Sequence, residues 1–448
     1  MPPPVSFGEA FRFWLKLGFI NFGGPTGQIA LMHHELVDRR RWISNDRFLH
    51  ALSFCMLLPG PEAQQLAIYV GWLLHRTAGG VAAGVLFVLP AVFVMLALSW
   101  VYAVHGDVAW VAALFYGLRA AVIAIVAAAV LRIGAQALQN SVLIAVAALS
   151  FIAIFAGGVP FPVIIIAAGV LGLAGGRWWS ETFTPSRAAG TLEGAALIHD
   201  ADSPAEHTRP TLSRAARALI LGVAAWWLPL LAVAVWRGWA DVLSQEAVFF
   251  SKAAMVTFGG AYAVLAYVAQ ASVQQFGWLA PGEMLDGLGL AESTPGPLIL
   301  VTQFVGFLGA FRNPGGLDPV AAGILGAVVT VWATFAPSFL WIFLGAPFIE
   351  RLRGNAVLRG ALITITSAVV GVILNLAVWF GIHALFREVR DVPFLRAVLP
   401  VPALASVDWA ALLITAVAFV GMWRFRWGIV PVVAGGAAAG LLFRFVLP

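Results

Sequence analysis

Phe22-Gly23-Gly24-Pro25 and Pro59-Gly60-Pro61 interrupt apolar stretches near the start of the chain, and both motifs return 236 residues later as Phe258-Gly259-Gly260 and Pro295-Gly296-Pro297. The same offset relates several other identities: Lys16 with Lys252, Trp42 with Trp278, Leu49 with Leu285 and Gly79-Gly80 with Gly315-Gly316. A register that holds over about 65 residues indicates an internal repeat. The sequence therefore predicts two homologous halves.

The composition is typical of an integral membrane protein. Of 448 residues, 61% are hydrophobic and 10% are charged, and the mean hydropathy is +0.93, whereas soluble domains carry about 25% charged residues. Uncharged runs cover the roughly 20 residues needed to cross a hydrocarbon core. These runs are Thr77–His105, Ala218–Trp236, Pro319–Ile349 and Gly360–Phe386. Buried helices of a soluble enzyme would not recur in this way, so we predict an all-α polytopic membrane protein.

The charge of +5 does not indicate nucleic acid, because the arginines lie between apolar runs and are typical of membrane-topology signals. Cys55 is the single cysteine, which excludes an intrachain disulfide and a cysteine-based metal site. His33-His34-Glu35 has no second ligand cluster after it, so we expect a solvated loop, no metal and no cofactor. The start Met1-Pro2-Pro3-Pro4 lacks the basic region of a cleavable signal peptide, so the first apolar segment should be retained.

The expected organisation has four parts: residues 1–177 as the first membrane repeat, 178–217 as a polar linker, 218–240 as a connecting transmembrane helix and 241–448 as the second repeat. Four full spans are expected near 78–104, 108–133, 141–157 and 159–176. With the connecting helix they make an odd number of crossings, which turns the second repeat upside down. Inverted repeats are a recurring architecture of secondary transporters.

The arginine distribution independently favours inversion. The loop His33–Arg47 contains four arginines, whereas its repeat partner Ala269–Glu283 contains no Lys or Arg. Loops rich in Lys and Arg tend to face the cytoplasm, so two homologous loops of which only one is rich in Arg should face opposite sides of the membrane. We predict a cytoplasmic N-terminus and linker, and a C-terminus on the opposite side.

The Gly and Pro motifs predict re-entrant helices that break at mid-membrane. The flanking limbs, each too short to span, are Phe7–Phe22, Thr26–Leu36, Asn45–Leu58 and Ala63–Leu74. Gly and Pro interrupt helices, and interrupted backbone at that depth must line a cavity or be buried in protein. Helix starts at Pro25, Pro61 and Pro297 would aim N–H groups and positive dipole ends at an anion. The alternative is that these motifs are tight turns between packed helices.

The candidate substrate-binding residues combine these breaks with nearby polar side chains: Lys16, Asn21, Gly23, Gly24, Pro25, Gln28, Pro59, Gly60, Pro61, Gln64, Gln65, Lys252, Thr257, Gly259, Gly260, Thr294, Pro295, Gly296, Pro297 and Gln303. An intramembrane lysine suggests function, although a lysine near a helix end can also snorkel to the interface. Glu62 and Glu292 flank the Pro-Gly-Pro motifs and are candidates for proton carriers or for partners of nearby arginines. Arg119 and Arg359 are interpreted as helix-end anchors.

At these motifs the sequence resembles the chromate ion transporter family in its long, duplicated form. The resemblance rests on the first Gly-Gly-Pro motif, on Glu35 with Arg39-Arg40-Arg41-Trp42, on residues 58–67 (LPGPEAQQLA), and on Thr294-Pro295-Gly296-Pro297 followed by Gln303. It implies chromate export across the cytoplasmic membrane, chromate resistance, and sulfate as a competing analogue. Two positions depart from the family pattern, since Gln28 replaces a common histidine and Ala261 replaces the second-half proline.

Energetics permit export without ATP. Moving a dianion out of an inside-negative cell releases roughly 4.6 kcal/mol per 100 mV, at about 2.3 per charge, and no Walker-type phosphate loop is present. Two alternatives stay open: transport of sulfate or another oxyanion, including uptake, and an intramembrane enzyme or assembly subunit. The second is disfavoured because no acid, base and nucleophile set lies in the spans. Membrane lipid is an expected partner, and the sequence indicates no oligomeric state.

Overall fold

A computed structural model describes residues 5–22, 24–179, 211–258, 261–280, 282–348, 356–394 and 397–445. The chain there is predominantly α-helical, as predicted. The first-half helices are α1 (Phe7–Ile20), α2 (Gly24–His33), α3 (Asn45–Cys55), α4 (Glu62–His105), α5 (Ala109–Ala137), α6 (Ser141–Phe155) and α7 (Phe161–Trp178). Side-chain oxygens of Ser6, Ser44 and Asn140 cap α1, α3 and α6 by accepting a hydrogen bond from an N–H of the first turn.

The remaining helices are α8 (Leu212–Arg237), α9 (Val242–Met255), α10 (Ala261–Gln270), α11 (Glu283–Ser293), α12 (Val301–Arg312), α13 (Pro319–Gly345), α14 (Ala356–Leu385), α15 (Trp409–Phe425) and α16 (Ile429–Phe445). An antiparallel hairpin of β1 (Val389–Phe394) and β2 (Ala397–Pro402) lies between α14 and α15, with Val389 opposite Pro402. The all-α prediction lacked this hairpin.

Six helices within the described residues are long and apolar enough to cross a membrane: α4, α5, α7, α8, the segment Pro319–Phe348 that contains α13, and Val357–Leu385 within α14. The described portions of the four uncharged runs lie in these segments, except Phe386, which follows the last of them. The protein is therefore a multi-pass membrane protein. Helix α4 is not straight, because His75 and Arg76 have non-helical backbone angles and Arg76 has a φ of 54°. This bend separates a short limb, 62–74, from the span that follows it.

The repeat is visible in local backbone structure. A π-helical turn follows α2 at His34–Arg39, and another follows α10 at Ala271–Gln275. After each turn the backbone N–H of a tryptophan donates to the backbone carbonyl six residues earlier. Trp42 donates to Leu36 and Trp278 donates to Ser272, both at 2.8 Å. These pairs keep the offset of 236 found in the sequence.

Some predicted boundaries move. Helix α1 ends at Ile20, two residues before the expected end. Helix α8 begins at Leu212, inside the predicted linker, because Thr211 caps it by accepting from the N–H of Arg214. Residues 180–210 of that linker lie outside the described residues. Pro297 is followed by a 3₁₀ turn, Leu298–Leu300, before α12 begins, so an α-helix does not start at this proline as predicted.

The chain forms two compact units, each of which takes segments from both sequence halves. The first comprises the described residues within Met1–Leu96, Ser186–Ala261 and Thr294–Asn355, and the second those within Ala97–Pro185, Tyr262–Ser293 and Ala356–Pro448. In the first unit, α13 packs against α8, α9 and α12. In the second, α14 packs against α5, α6 and α7, and α5 also packs against α15 and α16.

Small residues allow close helix packing in the second unit. A Cβ on Gly117 would lie 2.0 Å from the carbonyl oxygen of Gly436, and a Cβ on Gly172 would lie 2.4 Å from that of Gly360. Glycine at helix crossings lets backbones approach, which is a common way to associate helices in lipid.

Candidate functional site

The interrupted segments of the two sequence halves bond to each other within the first unit. The N–H of Gly60 donates to the carbonyl oxygen of Thr257 at 2.9 Å, and the N–H of Gly296 donates to the carbonyl oxygen of Asn21 at 3.2 Å. Donors and acceptors are both related by the offset of 236. Each Pro-Gly-Pro motif is thus bonded to the segment just before the Gly-Gly motif of the other half.

Both donors occupy backbone positions that require glycine. Gly60 has a φ of 124° and Gly296 a φ of 110°, in the region that L side chains rarely adopt. A Cβ on Gly60 would lie 2.8 Å from Nε2 of Gln65, and one on Gly296 would lie 2.3 Å from Cβ of Ala91. The two breaks are therefore fixed in conformation and closely packed.

Buried amide side chains brace the first break. The Nδ2 group of Asn21 donates to the carbonyl oxygen of Phe87 at 3.2 Å, and the Nε2 group of Gln28 donates to the carbonyl oxygen of Asn21 at 3.2 Å. The Asn21 carbonyl thus accepts from both Gln28 and Gly296. Asn21 and Gln28 are fully buried.

Three further glutamines act in the same way. Gln65 donates to the carbonyl oxygen of Pro59 at 2.8 Å and closes the Pro-Gly-Pro turn. Gln64 donates to the carbonyl oxygen of Gly84 at 3.3 Å, and Gln303 donates to that of Val92 at 2.9 Å. Three carbonyls on one stretch of α4, those of Gly84, Phe87 and Val92, therefore accept from buried amides.

The remaining amide oxygens change how these residues can be interpreted. The side-chain oxygens of Asn21, Gln28, Gln64, Gln65 and Gln303 are buried and have no hydrogen-bond partner among the described residues. Each NH₂ group gives one of its two N–H donors to a backbone carbonyl, and the buried oxygen beside it would repel an anion. As oriented in the structure, the amides position the broken backbone, and their direct contact with a substrate stays a prediction.

The helix starts at the breaks supply N–H donors. Helix α2 begins at Gly24, with Pro25 as its second residue, and α4 begins directly after Pro61. The first backbone bond of α4 runs from the N–H of Gln65 to the carbonyl oxygen of Pro61 at 3.0 Å. The N–H groups before it have no partner within the helix, and the helix dipole adds positive potential there.

The other predicted residues at the breaks differ in how deeply they are buried. Thr257 is buried and donates its hydroxyl to the carbonyl oxygen of Ala253 at 2.7 Å. Thr294 is buried, and Pro59 and Pro295 are half-buried. Gly23, Gly259 and Gly260 lie outside the described residues.

The two predicted lysines lie on exposed helix faces. Lys16 on α1 lines an open groove of roughly 420 Å³, and Lys252 is exposed on α9. The groove is lined by Ser6, Gly8, Glu9, Arg12, Phe13, Lys16 and Arg40. The groove thus contains three cationic side chains, those of Arg12, Lys16 and Arg40, and one acidic side chain, that of Glu9. Glu9 contacts Arg40 at 3.5 Å.

Arg40 also belongs to the basic segment that follows α2. Glu35 is buried and accepts from Arg39 at 2.9 Å and from Arg40 at 3.4 Å. Burial alone would raise the pKa of Glu35, but the two guanidinium groups outweigh it and lower the pKa below its ordinary value. The Arg40 guanidinium also lies over the Phe13 and Trp42 rings, at 4.7 and 4.9 Å from their centroids.

The two glutamates beside the Pro-Gly-Pro motifs have different environments. Glu62, in the first unit, is the half-buried first residue of α4, and its carboxylate approaches its own N–H. Glu292, in the second unit, is buried and accepts a hydrogen bond from the hydroxyl of Tyr262. Arg132 also acts on Glu292 electrostatically.

A chromate transporter family profile matches the chain twice, over residues 8–173 and 244–441. The chain belongs to this family. It is 34% identical to a chromate transport protein of Pseudomonas aeruginosa over 378 residues, which cover 83% of this chain and 80% of the relative. It is 28% identical to a chromate transport protein of Cupriavidus metallidurans, over 87% of this chain and 86% of the relative. No solved structure matches the chain.

The start points of the two family matches, residues 8 and 244, are separated by the same 236 residues as the motifs. A probable chromate transport protein of Synechococcus elongatus is 28% identical over 86% of each chain. These relatives are named chromate transport proteins, and membership of the family makes this chain a transporter.

Sequence reasoning missed one buried ion pair of this transporter. In the second unit Arg119 donates two hydrogen bonds of 2.6 Å to the carboxylate of Asp286, which also accepts from Tyr102 at 2.7 Å. The interpretation of Arg119 as a helix-end anchor is wrong, because it lies well inside α5 and is paired with Asp286, which is fully buried. An aspartate within the apolar limb Glu283–Ser293 was the available signal.

Proposed function

We propose that this transporter exports chromate across the cytoplasmic membrane, driven by the membrane potential with or without a proton gradient, and thereby confers chromate resistance. One observation carries the proposal: the Pro-Gly-Pro motif of each half is bonded to the broken segment of the other half. Broken backbone buried in a membrane protein is expected where a substrate binds, as in other discontinuous-helix transporters.

The chemistry of the breaks suits a tetrahedral dianion. The helix starts at Gly24 and Glu62 offer N–H groups and positive dipole ends, which favour an anion without requiring a buried side-chain cation. The buried amides hold these starts in place through the backbone carbonyls that they bond. Pre-positioned donors lower the ordering cost of binding.

Cationic side chains beside α1 provide a way for the anion to approach. Arg12, Lys16 and Arg40 line the groove beside α1 and are opposed there by Glu9. Excess positive charge in a groove raises the local anion concentration and is screened by salt. We assign Lys16, and by repeat symmetry Lys252, to attraction of the substrate rather than to its buried coordination.

Glu62 offers a route to proton coupling. Its carboxylate lies at the start of α4, where the dipole favours negative charge. A dianion that binds the same helix start would be repelled by an ionised Glu62, and a proton on the carboxyl would remove this repulsion. Glu292 is the corresponding candidate in the second unit, where Tyr262 already donates to it.

The proposed topology is an inverted repeat with a cytoplasmic N-terminus and linker and a C-terminus on the other side. Support comes from the arginine bias of the loops and from the reciprocal bonds at the breaks. Reporter tags between residues 178 and 216 and at the C-terminus should report opposite compartments. Tags that report the same compartment would rule out this topology.

Chromate accumulation in cells with and without the protein tests direction. Export predicts lower accumulation and higher resistance, and higher accumulation would overturn it in favour of uptake. Purified protein in liposomes with an imposed potential, positive on the side to which chromate should move, should carry chromate, and excess sulfate should slow it if sulfate competes. Flux of sulfate with no flux of chromate would instead support a sulfate transporter.

A further inference from the structure

Glu246, in the first unit, is a buried carboxyl that accepts no hydrogen bond from the described residues. It lies on α9, its exposed fraction is 0%, and both carboxylate oxygens lack a hydrogen-bond partner among the described residues. It faces Gly326 of α13 so closely that a Cβ there would lie 2.9 Å from Oε2 of Glu246. The other three buried acidic side chains in the described part of the chain, Glu35, Asp286 and Glu292, each accept a hydrogen bond from a side chain.

The charged groups around α9 do not neutralise this carboxyl. The helices that pack against it are α8, α12 and α13. Helix α13 carries no ionisable side chain, α12 carries Arg312 as its last residue, and the charged residues of α8 are Arg214, Arg217 and Arg237 near its ends. Arg237 is bonded to Asp241, at 2.9 Å, and Asp241 is a like charge that acts on Glu246.

Helices α9 and α13 contain other buried polar atoms that lack a partner among the described residues. The hydroxyl oxygens of Ser244 and Ser251 on α9 and of Thr330 on α13 are buried and have no partner among the described residues. Thr330 lies one helical turn after Gly326, on the same face of α13. Thr330 therefore adds a buried hydroxyl to the face of the helix that contacts Glu246.

The repeat indicates that the fold does not need a carboxyl at this position. The residue related to Glu246 by the offset of 236 is Ala10, which is buried on α1. The first half therefore packs an alanine where the second half has an unpartnered acid. A buried carboxyl that is not required for packing and is not paired is a candidate for function.

A fully buried carboxylate with no hydrogen-bond donor among the described residues is so poorly solvated that it takes up a proton instead of remaining charged. We propose that Glu246 is a proton-binding site, protonated in the conformation described here, whose proton is released and rebound during each transport cycle. On release the O–H bond breaks, the proton passes to water on one side of the membrane, and a carboxylate remains until a proton from the other side restores the acid. This inference rests on the proposed transport function.

An infrared difference spectrum tests proton binding independently of transport. Wild-type protein at neutral pH should show the carbonyl stretch of a protonated carboxylic acid that the isosteric variant Glu246→Gln lacks. Glu388→Gln, at an exposed position, is the matched control and should leave the band unchanged. If the spectrum of Glu246→Gln loses no carboxylic acid band relative to wild type, the proposal is overturned. If that variant fails to fold, Glu246→Asp and the pH titration of the wild-type band decide the matter.

Liposome flux tests coupling. With the membrane potential clamped at zero, a pH gradient of one unit should shift the wild-type chromate distribution by up to about tenfold for one coupled proton. Glu246→Gln should lose this response and keep potential-driven flux, and Glu246→Asp should recover part of it. A wild-type response that persists in Glu246→Gln, a wild type insensitive to pH, or dependence on a sodium gradient instead would each overturn the coupling. If wild-type protein carries neither chromate nor sulfate, the proposed function fails, while the infrared result still decides whether Glu246 binds a proton.

Discussion

The N–H of Gly60 donates to the carbonyl oxygen of Thr257 at 2.9 Å, and their repeat partners Gly296 and Asn21 make the same bond at 3.2 Å. A duplicated chain can keep such a pair of bonds only if each half supplies both a donor and an acceptor. The breaks therefore depend on each other, and changes on either side should affect both substrate binding and folding.

Gly60→Ala and Gly296→Ala should abolish transport and destabilise the protein. A positive φ costs a non-glycine residue about 1–2 kcal/mol, and the contacts of the new Cβ add about 1–3 kcal/mol of overpacking. Thermal unfolding in detergent and chromate flux are the measurements. Gly435→Ala is the control, because nothing lies within 4 Å of its Cβ position and its φ is not positive. Equal behaviour of the three variants would contradict this account of the breaks.

Gln303→Leu should lower stability more than it changes the apparent substrate affinity. The amide braces the carbonyl of Val92, so its loss should remove about 1 kcal/mol of net hydrogen bonding. Thermal unfolding and the chromate concentration dependence of flux separate the two effects. A large rise in KM with unchanged stability would show that this amide contacts the substrate instead.

Lys16→Ala and Lys252→Ala should each lose chromate resistance while the protein still reaches the membrane. The reason is loss of positive charge on exposed faces that attract the anion, so the defect should shrink as ionic strength rises. Lys16→Arg keeps the charge and serves as control. Resistance close to wild type in both alanine variants would remove the lysines from the transport scheme.

Asp286→Asn should destabilise the second unit by about 1.5–3 kcal/mol, because it removes charged hydrogen bonds from the fully buried Asp286 position while Arg119 stays partly exposed to solvent. The paired substitution Arg119→Met with Asp286→Leu should recover most of this loss. Asp38→Asn is a suitable control, because its side chain is 53% exposed and its contacts with His33 and His34 should contribute less than about 1 kcal/mol. Thermal unfolding of the four proteins is the measurement.

Glu35 should contribute to the loss of folding stability at acidic pH. Its pKa is lowered in the folded protein, so its contribution is fully present above the unfolded pKa and is lost as pH falls through the folded pKa. The Glu35→Gln variant should be less stable than wild type near neutral pH, and its stability should fall less than that of wild type as the pH is lowered. An unchanged loss of stability at acidic pH in thermal unfolding would show that the pairs with Arg39 and Arg40 do not stabilise the fold.

The sequence by itself determined the membrane class, the duplication and the family. These properties depend on local composition and on a fixed offset, and both can be read along the chain. The short limbs and the Gly and Pro breaks were also predictable, because backbone restrictions act on a residue and its immediate neighbours. The local signals failed at Pro297, where a 3₁₀ turn precedes the helix, and at the β-hairpin.

Only the tertiary structure decided which breaks bond to which. The pairing of Gly60 with Thr257 joins residues almost 200 positions apart, and no periodicity in the sequence specifies it. The same applies to the direction of the buried amides, to the exposure of Lys16 and to the isolation of Glu246. Each depends on which helices pack together, and packing is decided by the fit of surfaces brought together from distant parts of the chain.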